Sequence, residues 1–408
     1  MSPRPVRRLL LAALAVALLG PVALQAPTSY AAGDGEEAAP SSSLQVTPHQ
    51  RVRLEVLPPV VQRGRDAAAA DAARSPLVVT ARPARQGRRV RLQVLRDGTW
   101  DTLATRRQDG RGRVEMAAAT SADGHALTYR VRVMATRGLR GITSRPVSTQ
   151  PWLRPSFGDE FSGTSVGPSW STRSPEVVPG SRRSCAKGDP DAVRVEGGTA
   201  RLSVLVDPDA TGRCRIRGRD QEKARGSYAY RLNGHIGTEG RYAFRYGVAA
   251  ARVRFHRMRG QHGAFWLQPA SGMYPGAAGS EIDVVEYFGD HHPQGGLATF
   301  MHRYEGRRRV SSGGWVRDQA SFLGGPRDGW SRNFHVFSVE WRPRLLVFRI
   351  DGRETGRMRR GVSAVDQFPI LSLISADYEL PKIKERHLPQ HMEVDWVRVW
   401  ETGAPGAP

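Results

Sequence analysis

The sequence predicts an all-β protein built from two β-sandwiches, a smaller one followed by a larger one of the jelly-roll kind. Three observations point there. Short runs alternate apolar and polar residues, as in R-V-R-L-Q-V (89–94) and Y-R-V-R-V-M (129–134). The chain is punctuated by 44 Gly and 28 Pro, which mark turns between short strands. No long segment carries helical periodicity.

The elements follow in order. Residues 1–20 join a basic start to an apolar stretch, and small residues at Ser29 and Ala31 suit cleavage near Ala31. Residues 1–31 therefore read as a signal peptide, and the mature protein as secreted. Arg7-Arg8 leaves a twin-arginine export route open. Residues 32–46 are small and polar, the composition of a flexible leader. Residues 47–149 hold the first set of strands, with a turn at Asp97-Gly98. Their number and spacing suggest an immunoglobulin-like or fibronectin-like sandwich. The Ala-rich run 67–73 is too short for more than a loop or one helical turn. This domain clusters no catalytic residue types and reads as a spacer or a carbohydrate-binding module. Residues 150–155, Q-P-W-L-R-P, read as a linker. Residues 156–402 hold strand after strand, enough for one large jelly-roll sandwich.

Charge excludes less than its size suggests. The formal net charge is +22, and only Lys187, Lys223, Lys382 and Lys384 among the 61 basic residues are lysines. A positive surface favours anionic partners. The arginines are nevertheless spread along the whole chain with no nucleic-acid motif, which a GC-rich genome explains, so no nucleic-acid partner is expected. After the signal segment no stretch is long and apolar enough to span a bilayer. Cys185 and Cys214 are the only cysteines. In an exported protein an even count suggests a disulfide, worth about 3 kcal/mol for a loop of ~30 residues.

The chemistry concentrates in G-S-E-I-D-V-V-E-Y-F-G (279–289). On a regular strand Glu281 and Asp283 share a face, and Glu286 falls on the opposite, buried one. One extra residue at Val284 or Val285, a β-bulge, restores Glu286 to the face of the other two acids. Two carboxyls about 5–5.5 Å apart can cleave a glycosidic bond with retention, one as nucleophile and one as acid/base. A third between them raises its neighbours' proton affinity. The same spacing also suits an acidic strand edge or a metal site. The nearby Phe265-Trp266 supplies a flat ring of the kind on which sugars stack.

At these residues the chain resembles glycoside hydrolase family 16. E-I-D-V-V-E is similar to the bulged E-x-D-x-x-E of laminarinase-like and agarase-like members. Around it, in the family's order, stand F-G-D-E-F-S-G (157–163), N-G-H-I-G-T (233–238), F-R-Y-G (244–247) with Arg252, and G-A-F-W-L (263–267). Phe300-Met301-His302, F-H-V-F-S-V-E-W (334–341), V-F-R-I-D-G (347–352) and V-D-W-V-R-V-W (394–400) complete the match. The resemblance implies a concanavalin-like jelly roll with Glu281 as nucleophile, Glu286 as acid/base and Asp283 tuning both. It implies that His302 bonds within the acid cluster or to substrate, and that Trp266, Arg252 and Asn233 line sugar subsites. The residues themselves also allow a core histidine at His302, an ion-pair partner at Arg252 and a turn residue at Asn233.

No cofactor is required. The family's structural calcium would fall at Asp395, where a capped surface acid is the other reading. The chain departs from the family pattern at Ala250, where a Glu is common, and at His262-Gly263, where Trp-Pro is common. The expectation is a secreted, monomeric, retaining endo-glycosidase acting on a β-1,3- or β-1,3/1,4-glucan. A galactan or anionic polysaccharide, transglycosylation, and a non-catalytic glycan-binding protein are its alternatives.

Overall fold

Alternation along the chain becomes pairing across it. The structure is a computed structural model and describes residues 49–217 and 224–403; the expected signal peptide (1–31) and leader (32–46) lie outside them. In the N-terminal part, strands β1 (Arg51–Val56), β2 (Arg74–Arg82) and β5 (Arg113–Ala119) form one sheet in the order β1-β2-β5. Strands β3 (Arg89–Arg96), β4 (Thr99–Arg107) and β6 (Thr128–Val133) form the second, in the order β6-β3-β4. Two short strands, Ile142–Thr143 and Val147–Ser148, also pair with β6. The sheets share one core, with Leu54, Leu77 and Val79 meeting Val90, Leu92 and Val131. Asp97 and Gly98 join β3 to β4 with φ of 47° and 78°, the positive values that a tight hairpin needs.

The second part is one long, nearly closed sheet, antiparallel along its main path, with the short strand Ala186–Gly188 joined to it in parallel. Its strands are β7 (Thr199–Val206), β8 (Arg231–Gly237), β9 (Gly247–Arg254), β10 (His262–Pro269), β11 (Glu281–Tyr287) and β12 (Leu297–Glu305). They are followed by β13 (Arg308–Trp315), β14 (His335–Arg342), β15 (Leu345–Ile350), β16 (Arg353–Met358), β17 (Gln367–Ile374) and β18 (Gln390–Glu401). The order runs β13-β12-β11-β10-β17-β8-β7-β18-β9-β14-β15-β16. The sheet folds over a single core in which Phe265, Ile282 and Leu371 from one half meet Phe337, Trp341 and Val397 from the other. This is the architecture expected of a jelly roll. Among the described residues every helical turn is a short 3-10 segment, including Ala70–Ala72 in the Ala-rich run, and no helix is long and apolar enough to cross a membrane. Cys185 and Cys214 form a disulfide with Cα atoms 5.5 Å apart, packed against Leu380.

The two sandwiches belong to one compact unit, Thr47–Pro408. The segment between β1 and β2 crosses the outer face of the long sheet. Val60 packs with Val248, Ala250, Val336, Trp396 and Trp400. Gln62 accepts the Trp396 indole N–H at 2.7 Å, and Gly64 exchanges backbone bonds with Phe334. The expected linker is fixed as well: Trp152 donates its indole N–H to the Val56 carbonyl at 2.9 Å and packs against both cores.

Two sequence expectations are corrected on this outer face. On β9, Ala249, Ala251 and Val253 point into the core, so alternation sends Arg252 outward, away from the cleft. Its side chain is buried beneath the β1–β2 segment, 1% exposed. Nε donates to the Gln62 carbonyl at 2.8 Å, Nη1 donates to the Asp66 carbonyl at 3.0 Å, and Nη1 also pairs with Asp395. Arg252 is an ion-pair partner and does not line sugar subsites. Asp395 also accepts the Ala68 N–H, at 3.4 Å. A carboxylate and two carbonyls are what a calcium ion would want, but the Arg252 guanidinium already engages all three. The residues present do not fit a calcium at Asp395. Arg252→Met is therefore expected to lower the unfolding free energy by about 3–5 kcal/mol, because it leaves a buried carboxylate unpaired. Hydrolysis at a temperature where the variant is folded should be unchanged. A denaturant titration and an initial-rate assay check both.

Candidate active site

The bulge lies where the misplaced acid requires it. Against β10, Trp266 pairs with Asp283 and Phe265 with Val285, so Val284 is the extra residue. Against β12, the register shifts between Asp283 and Glu286, which pair with Phe300 and Ala298. Val284 and Val285 both enter the core, and the parity of the strand flips after them. Glu281, Asp283 and Glu286 consequently line one cleft of about 440 Å³ together with Trp266 and His302.

Strand pairing sets the neighbours. His302 on β12 stands opposite Glu281. Its Nε2 lies 3.2 Å from Asp283 Oδ2 and 4.0 Å from Glu281 Oε1, and its Nδ1 lies 2.6 Å from Ser311 Oγ. Arg309 on β13 donates to Glu281 Oε1 at 3.1 Å. Trp266 donates its indole N–H to Ser372 Oγ at 3.2 Å and stacks on His235, ring centres 6.0 Å apart.

Burial and like charge then decide protonation. Asp283 is held well above the usual carboxylate range, first by desolvation and then by the Glu281 carboxylate. Glu286 is pushed up to about 8 by desolvation and by Asp283, against the opposing pull of His262 and His302. His302 is lowered by desolvation and by Arg309, outweighing the nearby acids. These directions agree with one network: protonated Asp283 donates to neutral His302 Nε2, and His302 Nδ1–H donates to Ser311. Desolvation, the leading cause, favours a proton on Glu286 at neutral pH. Glu281, Asp283 and His302 also converge closely enough to hold a metal ion. Desolvation that favours the neutral forms of Asp283 and His302 works against a cation there.

Asn233 is a further correction. It is 3% exposed, and its Oδ1 accepts the Ser375 N–H at 3.2 Å, bracing the end of β17. It lies among the buried residues and outside the cleft lining. Several cleft residues had no legible sequence signal. His262, buried in the cleft wall, directs Nδ1 to Glu379 Oε2 at 2.7 Å. Desolvation lowers its proton affinity, but Glu379 and then Glu286 outweigh this and the net shift is upward. The partner is 117 residues away in sequence, so only the departure from Trp-Pro marked the position. Arg182, Arg183, Ile374 and Tyr378 complete the walls, and the Cys185–Cys214 bridge anchors the segment that carries the two arginines.

Residues 212–398 match the family model described as Glycosyl hydrolases family 16. No curated protein sequence matches the chain. Among solved structures, the laminarinase catalytic domain from Thermotoga maritima is similar at 19% identity, covering 61% of this chain and 98% of that chain, with a TM-score of 0.45. The endo-β-1,3-glucanase from Pyrococcus furiosus is similar at 20% identity, covering 60% and 93%, with a TM-score of 0.47. LamAcat from Zobellia galactanivorans is similar at 17% identity, covering 60% and 97%, with a TM-score of 0.45.

Proposed function

Residues 212–398 belong to the glycosyl hydrolases family 16, so the protein is a glycoside hydrolase, and we propose that it is a secreted, retaining endo-glycosidase acting on a β-1,3- or β-1,3/1,4-glucan. The observation that carries this reading is the bulge at Val284, which aligns three acids on the cleft face beside Trp266.

In the proposed mechanism a sugar ring lies against Trp266 with its anomeric carbon over Glu281. A Glu281 oxygen attacks that carbon and a covalent glycosyl-enzyme forms. Glu286 gives its proton to the departing glycosidic oxygen. A water then enters, Glu286 takes a proton from it, and the water oxygen displaces Glu281, which retains the anomeric configuration. Asp283, tied to His302, accommodates the change of charge between the two glutamates. An acceptor sugar in place of water would turn the same steps into transglycosylation.

Laminarin, lichenan, agarose and carrageenan, incubated with purified protein, test the substrate class. New reducing ends are expected on laminarin or lichenan, and product NMR should show the β configuration first. Release of the α anomer as first product contradicts the mechanism, and turnover confined to a galactan contradicts the substrate. The disulfide supports export, since such bridges persist in oxidising compartments. We also propose a monomer. The strand orders β1-β2-β5 and β6-β3-β4 support the immunoglobulin-like or fibronectin-like reading of the N-terminal sandwich.

A further inference from the structure

A second concave surface shares no residue with the cleft. Between the outer face of β1-β2-β5 and the outer face of β14-β15-β16 runs a groove of about 800 Å³. It is continuous, through Arg82, Arg113 and Arg357, with a second hollow of about 960 Å³. Both exceed the cleft in volume, but neither holds a converging group of acids, and their chemistry is different. Eleven arginines line the pair, against five carboxylates.

The carboxylates are already engaged within the protein. Glu55 accepts from Arg342 at 2.6 Å and from Arg53 at 3.3 Å. Glu340 pairs with Arg349 at 2.9 Å and also with Arg342. Glu354 pairs with Arg113 at 2.9 Å and also with Arg357. The positive excess therefore faces the groove, where Arg51, Arg82 and Arg145 are exposed.

A buried group supplies the second observation. Arg349 lies in the groove wall and is 6% exposed. Its Nη2 is satisfied by Glu340, but its Nε and Nη1 have no hydrogen-bond partner. The nearest carboxylate to Nη1, Glu354, stands at 3.9 Å, beyond hydrogen-bond reach. Both atoms are closed to water, so Arg349 adds positive charge to the wall without itself bonding a ligand.

We infer that this groove is a non-catalytic binding site for an acidic polysaccharide. Carboxylates on successive sugars accept the arginine forks two bonds at a time, and the sugar C–H faces lie on the aliphatic floor of Val78 and Val347. Among the described residues no aromatic ring lines either hollow, so bases have no stacking platform there, and single-stranded nucleic acid is the poorer fit. The N-terminal sandwich thereby acquires a role: it supplies one wall of the groove and holds the enzyme on a charged matrix while the cleft works on its own substrate.

The test uses the full-length protein with polygalacturonate as probe, by titration calorimetry. Wild type should bind, and binding should weaken at least tenfold between about 50 and about 500 mM salt. The combined variant Arg51→Glu/Arg82→Glu/Arg145→Glu should bind at least tenfold more weakly while hydrolysing its neutral glucan at the wild-type rate. If circular dichroism shows that variant unfolded, the singles Arg51→Glu and Arg145→Glu should each lose at least threefold. Absence of wild-type binding, or unchanged binding in the folded variants, overturns the proposal. Tighter binding of polyphosphate or single-stranded DNA than of polygalacturonate also overturns it. Binding is read without turnover, so a cleft inactive on glucans would defeat the proposed activity and leave this site standing or falling on its own.

Discussion

Glu281→Gln is expected to reduce turnover of the polysaccharide by about 10⁴-fold or more, with folding and sugar binding preserved. The amide keeps the shape of the carboxylate but is too weak a nucleophile to form the glycosyl-enzyme. The loss alone would not separate a nucleophile from a positioning group, since Arg309 and His302 both lean on Glu281. Chemical rescue separates them. In Glu281→Ala, azide should enter from the vacated side and give the α-glycosyl azide. In Glu286→Ala, a substrate with a good leaving group should form the glycosyl-enzyme, and azide should then give the β-glycosyl azide. A β product from Glu281→Ala would exchange the roles assigned to the two glutamates.

As the proposed acid, Glu286 is expected to set the alkaline limb of activity. Its carboxyl is raised from 4.5 to about 8, chiefly by desolvation and then by Asp283. An acid must carry its proton, so on the alkaline side kcat/KM should fall as pH rises through about 8. Glu286→Gln should lower kcat on unactivated polysaccharide by 10²–10⁴-fold and abolish that limb. The same shift has a consequence for stability. The folded state binds the Glu286 proton more tightly than the unfolded state, so between about 4.5 and 8 folding takes up a proton and stability declines as pH rises. Its contribution is fully present below the unfolded value and lost above the folded one. The Gln variant has no such proton, so its melting temperature above pH 8 should equal or exceed that of wild type. An alkaline limb that survives in Glu286→Gln would assign the acid elsewhere.

Parity explains why the heart of the site was legible and its surroundings were not. Within 281–287, Ile282, Val285 and Tyr287 must enter the core while three acids must avoid it. A regular strand cannot meet both demands and a single inserted residue can, so seven neighbouring residues carry the whole argument for the bulge. The turn at Asp97-Gly98 and the alternating strands were legible for the same reason, because the competing forces act between residues close in sequence.

Partner choice is a different kind of question. Arg252 bonds to Gln62, 190 residues away, and Asp395 to Ala68, 327 residues away. Whether Arg252 meets sugar or a carboxylate depends on which face of β9 the preceding domain covers, and nothing near position 252 encodes that. Asn233 meets Ser375 and His262 meets Glu379 through equally distant pairings. The arginines of the groove come from two separate sandwiches and become a site only when their outer faces meet. The sequence by itself determined the all-β class, the strand pattern, the bulge and the three acids of the cleft, because those follow from burial and like-charge repulsion acting locally. The tertiary structure alone decided which arginine is spent on an internal carboxylate and which is left facing a ligand, because a charge takes its meaning from the groups that folding brings within a few ångströms of it.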